Sequence, residues 1–372
     1  MILLSKGEEK EYKDFIESHD RCNFQQAIEW GNVKESWINE VVLSKDENGK
    51  INGAISVLIR KIPIFGNFMY VSRGPICNIH DEKVLRELTD GLKELAKKYK
   101  AFTLRMEPDI KSEDEEFKNL IKKLGFKIND TGKKFSDGVQ PRYVFRLDLK
   151  GKTEEEIFAE FHQKTRYNVR LAGKKGVEIR EGTKEDLKDF HKIMVVTGKR
   201  DNFMIRPLEY FEKMYDCLAP NHLKLMMAYY EGKPVSGILD IIYGNKVWYL
   251  YGASSNEHRN LMPNYLLQWE MIKYSIENGK DMYDFRGVTG IVDEKDPHYG
   301  LYRFKKGFNA EFTEFVGEVY INLKPLKYRM YKFSERMYKY LAVIKDKTKN
   351  INVIAKKVTE INKAERKTNW TH

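Results

Sequence analysis

The stretch DPHYGLYRFKKGFNAEF, Asp296 to Phe312, sets Tyr299, Tyr302 and Phe304 among Arg303, Lys305 and Lys306. An amphipathic helix explains part of that pattern. A polyanion site explains the rest, because cations neutralise phosphate while aromatic faces accept stacked rings. A second basic band, Lys164, Arg166, Arg170, Lys174 and Lys175, lies in GKTEEEIFAEFHQKTRYNVRLAGKKGVEIREG, which opens on acidic residues. Read as one helix, that order suits the helix dipole and accounts for some of the charge without a ligand. Metal chemistry is not expected, since the eight histidines are scattered and the three cysteines lie far apart. No Gly-x-Ser-x-Gly elbow or Walker loop is present, so a lone Ser or Cys nucleophile is a poor candidate.

The net charge of +11 favours an anionic partner: nucleic acid, a phosphorylated substrate or an acidic membrane surface. A solvated lysine-rich surface is the other account. Cys22, Cys77 and Cys217 show no paired spacing, which fits a reducing compartment. MILLSKGEEKEYKDF turns charged too early for a signal peptide, and Arg60 and Lys61 cut the apolar run AISVLI far short of a membrane span. A cytoplasmic protein is expected, with peripheral contact to the inner membrane face as an option. Leu341 to His372 carries eight Lys/Arg against three Asp/Glu. This tail suits a basic amphipathic helix on anionic lipid and equally a packed or frayed terminus.

These groups need a scaffold, and 372 residues exceed what one core usually holds, so two domains are expected. Ile2 to Ile16 reads as a short strand and a helix. Glu40 to Leu43 and Gly53 to Arg60 read as two strands of a hairpin around the turn Lys45–Gly49. Val84, Leu85, Leu88, Leu92 and Leu95 mark an amphipathic helix, AFTLRMEP a buried strand ended by Pro108, and EEFKNLIKKLGF a helix stopped by Gly125. KLMMAYYEGKPVSGILDIIYGNKVWYLYGAS repeats the hairpin and adds a third strand. A helix over Pro263 to Glu277, the strand KDMYDFRG, another helix and FKKGFN follow. The order hairpin, helix, strand, helix, Gly-Phe thus occurs twice, a duplication of two α/β (α+β) layers with mixed sheets flanked by helices.

That order resembles the N-acyltransferase fold of the GNAT type, in which amides of a glycine-rich loop hold the coenzyme A pyrophosphate. The corresponding loops here, SSNEHRNLMPNYLLQW and SRGPICNIHDEKVL, lack the repeated glycines, which argues against coenzyme A. FQQAIEWGNVK, FHQKTRYNVRLAGKKGVEI, NFMIRPLEYFEKMY, WYLYGASS, FRGVTG and DPHYGLYRFKKGF, in this order and spacing, resemble the Fem family of peptidyltransferases. Those enzymes use aminoacyl-tRNA to extend the stem peptide of the cell-wall precursor. The resemblance covers about residues 10 to 330. It implies tandem GNAT-like domains: 1–148 on the acceptor side, completed by about 318–340, and 149–317 on the donor side, followed by the tail 341–372. The absence of an insert in FHKIMVVTGKRDNFMIRPLEYF resembles the shorter members without a coiled-coil arm.

By the same resemblance Lys34 looks like the lysine that contacts the acceptor diphosphate, Arg206 and Tyr210 line that pocket, and Tyr251 lies near the acceptor peptide. Phe304 and Lys305 resemble the pair at the reaction centre, beside Arg303, Lys306, Lys164, Arg166 and Arg170 as candidate tRNA contacts. The chemistry of the residues agrees: an arginine forks two hydrogen bonds to phosphate and a lysine acts as a point charge. The reaction needs a neutral amine and a donor for the tetrahedral oxyanion. Lys305 is the candidate for stabilising charge, and Glu107 or Asp109 in RMEPD for accepting the proton, unless Asp109 caps the following helix or the substrates move the proton themselves. No metal or diffusible organic cofactor is required. Alternatives are an N-acyltransferase using an acyl thioester on another envelope substrate, and a non-catalytic RNA- or membrane-binding protein. The amino acid, and the choice between lipid II and a soluble UDP-linked acceptor, stay open.

Overall fold

A computed structural model describes residues 1–134, 137–335 and 337; the basic tail 341–372 lies outside the described residues. The first half contributes β1 (Ile2–Leu3), β2 (Ile38–Lys45), β3 (Ile51–Ile62), β4 (Gly66–Arg73), β5 (Ile76–Cys77), β6 (Ala101–Pro108) and β7 (Lys127–Asn129). The second contributes β8 (Tyr143–Asp148), β9 (Glu178–Gly182), β10 (Leu223–Tyr230), β11 (Lys233–Tyr243), β12 (Lys246–Ser254), β13 (Met282–Val288) and β14 (Glu311–Glu314). A last strand, β15 (Glu318–Ile321), returns to the first sheet between β6 and β7. The sheet orders are β1-β2-β3-β4-β6-β15-β7, with β5 on β3, and β14-β8-β13-β12-β11-β10-β9. The pairing corrects one expectation: β8, placed within 1–148 by the sequence reading, pairs with β13 and β14 and so belongs to the second sheet.

The first-half helices are α1 (Glu9–Ser18), α2 (Ile28–Val33), α3 (Glu82–Lys98) and α4 (Glu115–Lys123). The Asp81 side chain caps α3 by accepting from Val84 N, and Val84, Leu85, Leu88, Leu92 and Leu95 are buried against the sheet. Asp114, and not Asp109, caps α4 through Phe117 N. The expected single helix after residue 152 is two: α5 (Glu154–Glu160), held by a Thr153–Glu156 capping box, and α6 (Gln163–Lys174). Phe161 and His162 between them are extended, because burying Phe161 against Trp269 and Phe308 turns the chain. The remaining helices are α7 (Leu187–Asp201), α8 (Leu208–Leu218), α9 (Pro263–Glu277) and α10 (Tyr299–Lys306). Residues 202–207 alone join α7 to α8, so no helical arm is inserted there. Each half has its own core, and a third joins them, with Tyr12, Phe24 and Trp30 packed among Phe211, Met214 and Trp248. No helix among the described residues is long and apolar enough to cross a membrane.

Candidate functional site

The two halves treat their central parallel pair differently. β4 and β6 pair from Asn67–Ala101 to Arg73–Pro108, with one register shift after Asn67 and none from Phe68–Thr103 onward. β12 and β13 pair only from Lys246–Met282 to Trp248–Asp284, and then part. Just beyond, β13 bulges on β8 between Asp284 and Gly287, freeing Phe285 and Arg286 from the ladder. Arg286 takes a left-handed backbone, φ 62°, with its amide donating to Asp284 Oδ1 at 2.6 Å. The carbonyls on either side of it are not left bare. Lys305, from the last turn of α10, donates from Nζ to Phe285 O at 2.5 Å and Gly287 O at 2.9 Å. Burial, aided by Arg286 and opposed by Asp284, lowers the Lys305 pKa to about 7. Phe304 is half-buried, its ring against Tyr265 at 4.9 Å and Phe308 at 5.4 Å.

On the other side of Arg286, α2 and α8 bring together residues far apart in sequence. Lys34 Nζ donates to the Tyr210 hydroxyl at 2.5 Å and lies 4.1 Å from the Trp30 ring centre. The Arg206 guanidinium sits 5.2 Å from the Tyr210 ring, and Tyr251 lies near both, its ring 5.0 Å from that of Phe211. Burial lowers the Lys34 pKa to about 7, and the charged neighbours that add to the shift are cations, Arg206 and Arg286. Burial and the nearby Arg73 lower the pKa of Arg286 as well, to about 10. The expected acceptor group Lys34, Arg206, Tyr210 and Tyr251 is therefore one cluster, and Arg286 connects it with Lys305. Lys34 and Arg286 are half-buried and Arg206 is exposed, and cations set this close together favour a bound anion.

The sequence reading assigns Arg286 no role, although it lies in the segment FRGVTG and is, with Asp284, one of two charged residues inside the strand MYDFRGV. Its guanidinium donates to Gln140 Oε1 at 3.0 Å, as does Gln25 Nε2 at 3.1 Å. Glu107 fixes that loop, accepting from Val139 N and Gln140 N at 2.8 Å each and from the Tyr70 hydroxyl. Asp109 Oδ2 accepts from Arg146 at 2.6 Å and Asn23 at 3.1 Å, while Arg146 also binds Asp284 at 2.9 Å. Burial raises the Asp109 pKa, but the Arg146 charge and hydrogen bond outweigh it and hold the carboxyl well below the usual range. Both carboxylates are thus occupied, and the geometry puts neither in the role of proton acceptor.

The basic band splits. Lys164 and Arg170 are exposed on α6, and Arg303 and Lys306 on α10. Arg166 instead turns back and donates to the carbonyls of Ala159 and Phe161, the open end of α5. The α6 start lies against the α10 end, where His162 N donates to Gly307 O at 3.0 Å. Arg303 and Lys306 are therefore exposed on the helix that carries Phe304, and the start of α6 with Lys164 lies against the end of that helix.

The FemAB family model matches residues 8–233 and 230–336. A lipid II:glycine glycyltransferase of Staphylococcus epidermidis is 30% identical over 91% of this chain and 98% of its own. A crystal structure of FemX superposes with a TM-score of 0.82 at 26% identity, over 89% of this chain and 99% of that one. A tandem GNAT protein from the clavulanic acid pathway, at 10% identity and a TM-score of 0.52 over 86% and 97% of the two chains, shares the fold alone.

Proposed function

The chain belongs to the FemAB family, and from that premise we propose that it moves an aminoacyl group from aminoacyl-tRNA to the stem-peptide amine of lipid II, building the interpeptide bridge of peptidoglycan. It is an aminoacyltransferase with tandem GNAT-like halves. The observation that carries the reading is the bulge in β13, which sets Arg286 between the acceptor cluster and Lys305. On the acceptor side, Lys34 and Arg206 receive the diphosphate, with Tyr210 and Tyr251 shaping the wall. On the donor side, the parted strands β12 and β13 admit the charged end of tRNA, and Phe304 stands where a terminal base stacks.

The amine attacks the ester carbonyl carbon, the tetrahedral intermediate collapses, and the ribose hydroxyl leaves with the proton that the amine gives up. The ester is already activated, so positioning supplies much of the rate. Lys305 spends two of its three donors on backbone carbonyls and offers its charge to the oxyanion. The occupied carboxylates Glu107 and Asp109 favour proton movement within the substrates. The thioester alternative gains nothing here: residues 255–262 between β12 and α9 contain no glycine, and Pro263 removes an amide at the helix start.

The test is transfer of radiolabelled amino acid from charged tRNA, glycine first, to lipid II and to the soluble UDP-linked muropeptide. Label should move to lipid II and stay on tRNA with Lys305→Ala. Absence of transfer from every charged tRNA to both acceptors, together with tight coenzyme A binding in calorimetry, would move the protein to the thioester class.

A further inference from the structure

Residues 325–335 are helical, and their outer face is apolar. Leu326, Met330 and Phe333 are 71, 53 and 67% exposed, and Met337 continues the series at 48%. At about 100° per residue these four fall within a stripe roughly 60° wide. The opposite face anchors the helix. Tyr331 packs against Phe65, Phe68 and Phe102 at ring distances of 5.7, 6.3 and 5.3 Å, and the Tyr328 hydroxyl accepts from Arg105. The stripe is thus held outward by an aromatic core. Lys327 and Arg329 flank it on either side. The turn between β3 and β4, docked through Phe65, adds Ile64, 89% exposed, near Arg60 and Lys61.

We infer that this face, the outer stripe of 325–337 with the 62–65 turn, docks on an anionic lipid surface. Large exposed apolar side chains at helical spacing need a cover, and the cations beside them select its charge. The chain's own tail, with eight basic residues against three acidic, is repelled by those cations, and a second copy presents the same charges. An anionic bilayer satisfies both the apolar stripe and its rim. The inference deepens the proposed reading, since it brings the acceptor cluster to the membrane that would carry a lipid-linked acceptor.

The experiment is co-sedimentation of the full chain, without substrates, with vesicles of equimolar phosphatidylcholine and phosphatidylglycerol, and with phosphatidylcholine alone. Binding should be at least about ten-fold stronger to the mixed vesicles. Leu326→Glu with Phe333→Glu should weaken it by about ten-fold or more, and Lys327→Glu with Arg329→Glu by about five-fold per cation. These side chains are exposed, so the urea midpoint and transfer to the soluble UDP-linked acceptor should stay as in the wild type. Equal binding to both vesicle types would overturn the inference. So would full binding by the Leu326/Phe333 variant with loss in Lys356→Gln/Lys357→Gln, which would assign binding to the tail. A dimer that Phe333→Glu dissolves, with no vesicle binding, would overturn it too. Vesicle binding without aminoacyl transfer would leave the surface standing and remove the function; transfer without vesicle binding would remove the surface alone.

Discussion

Glu107 separates a catalytic from a supporting role. A general base removed by Glu107→Gln would cost about a hundred-fold or more in kcat. The structure gives a different expectation, because Glu107 accepts from two backbone amides and so holds Gln140 against Arg286. A glutamine there loses one acceptor, loosens Gln140 and lets Arg286 drift. Steady-state kinetics should show a several-fold rise in KM for the acceptor and a kcat within about ten-fold of wild type. Lys34 gives a second expectation, in protons. Burial first, then Arg206 and Arg286, depress its pKa to about 7, so the free protein holds it mostly neutral at pH 8. A bound diphosphate stabilises the charged form and raises that pKa, so binding at pH 8 must take up protons, approaching one per site. Calorimetry of the UDP-linked muropeptide in buffers of different ionisation enthalpy measures this uptake; Lys34→Met should lose most of it, and no uptake in the wild type would remove the diphosphate from Lys34.

Elements with strong local signals were readable, and elements defined by a partner were not. The α9 bounds, Pro263 to Glu277, follow from a proline suited to the first turn, and α3 from its apolar period. β4 escaped notice because GNFMYVSR lacks clean alternation and is buried over most of its length. β8 looks like any buried strand; only pairing with β13 reveals its sheet. The Arg286 bulge is likewise set by Lys305, twenty residues away in the chain. The α5–α6 break had no glycine or proline to announce it, and it changes what the band does. Arg166 closes the α5 end, whereas Lys164 and Arg170 face outward. Arg166→Ala should therefore cost about 1–2 kcal/mol of stability and leave the salt dependence of tRNA binding nearly unchanged. Lys164→Ala and Arg170→Ala should leave stability alone and each lower the log–log salt slope by about one. Filter binding against salt, with urea unfolding beside it, sorts the three.

The whole molecule keeps its two halves in register partly through one ion triad. Asp109 ends the β6 side of the first sheet, Arg146 lies on β8 and Asp284 on β13 of the second, and all are little exposed. Asp284 also fixes the Arg286 amide, so the joint between halves and the centre of the site share a residue. Arg146→Met would leave two carboxylates buried without their cation, which costs about 3–5 kcal/mol at neutral pH. The pH dependence follows in sign. The folded Asp109 carboxyl titrates below its unfolded value, so its contribution is fully present above about pH 4 and fades as pH falls through the depressed folded pKa. In Arg146→Met the same carboxyl, desolvated and unpaired, protonates readily and escapes the penalty in acid. Urea midpoints of wild type and variant should thus lie far apart at pH 7 and converge toward pH 3. A gap that stays constant across that range would mean that packing of the arginine, and not its charge, joins the halves.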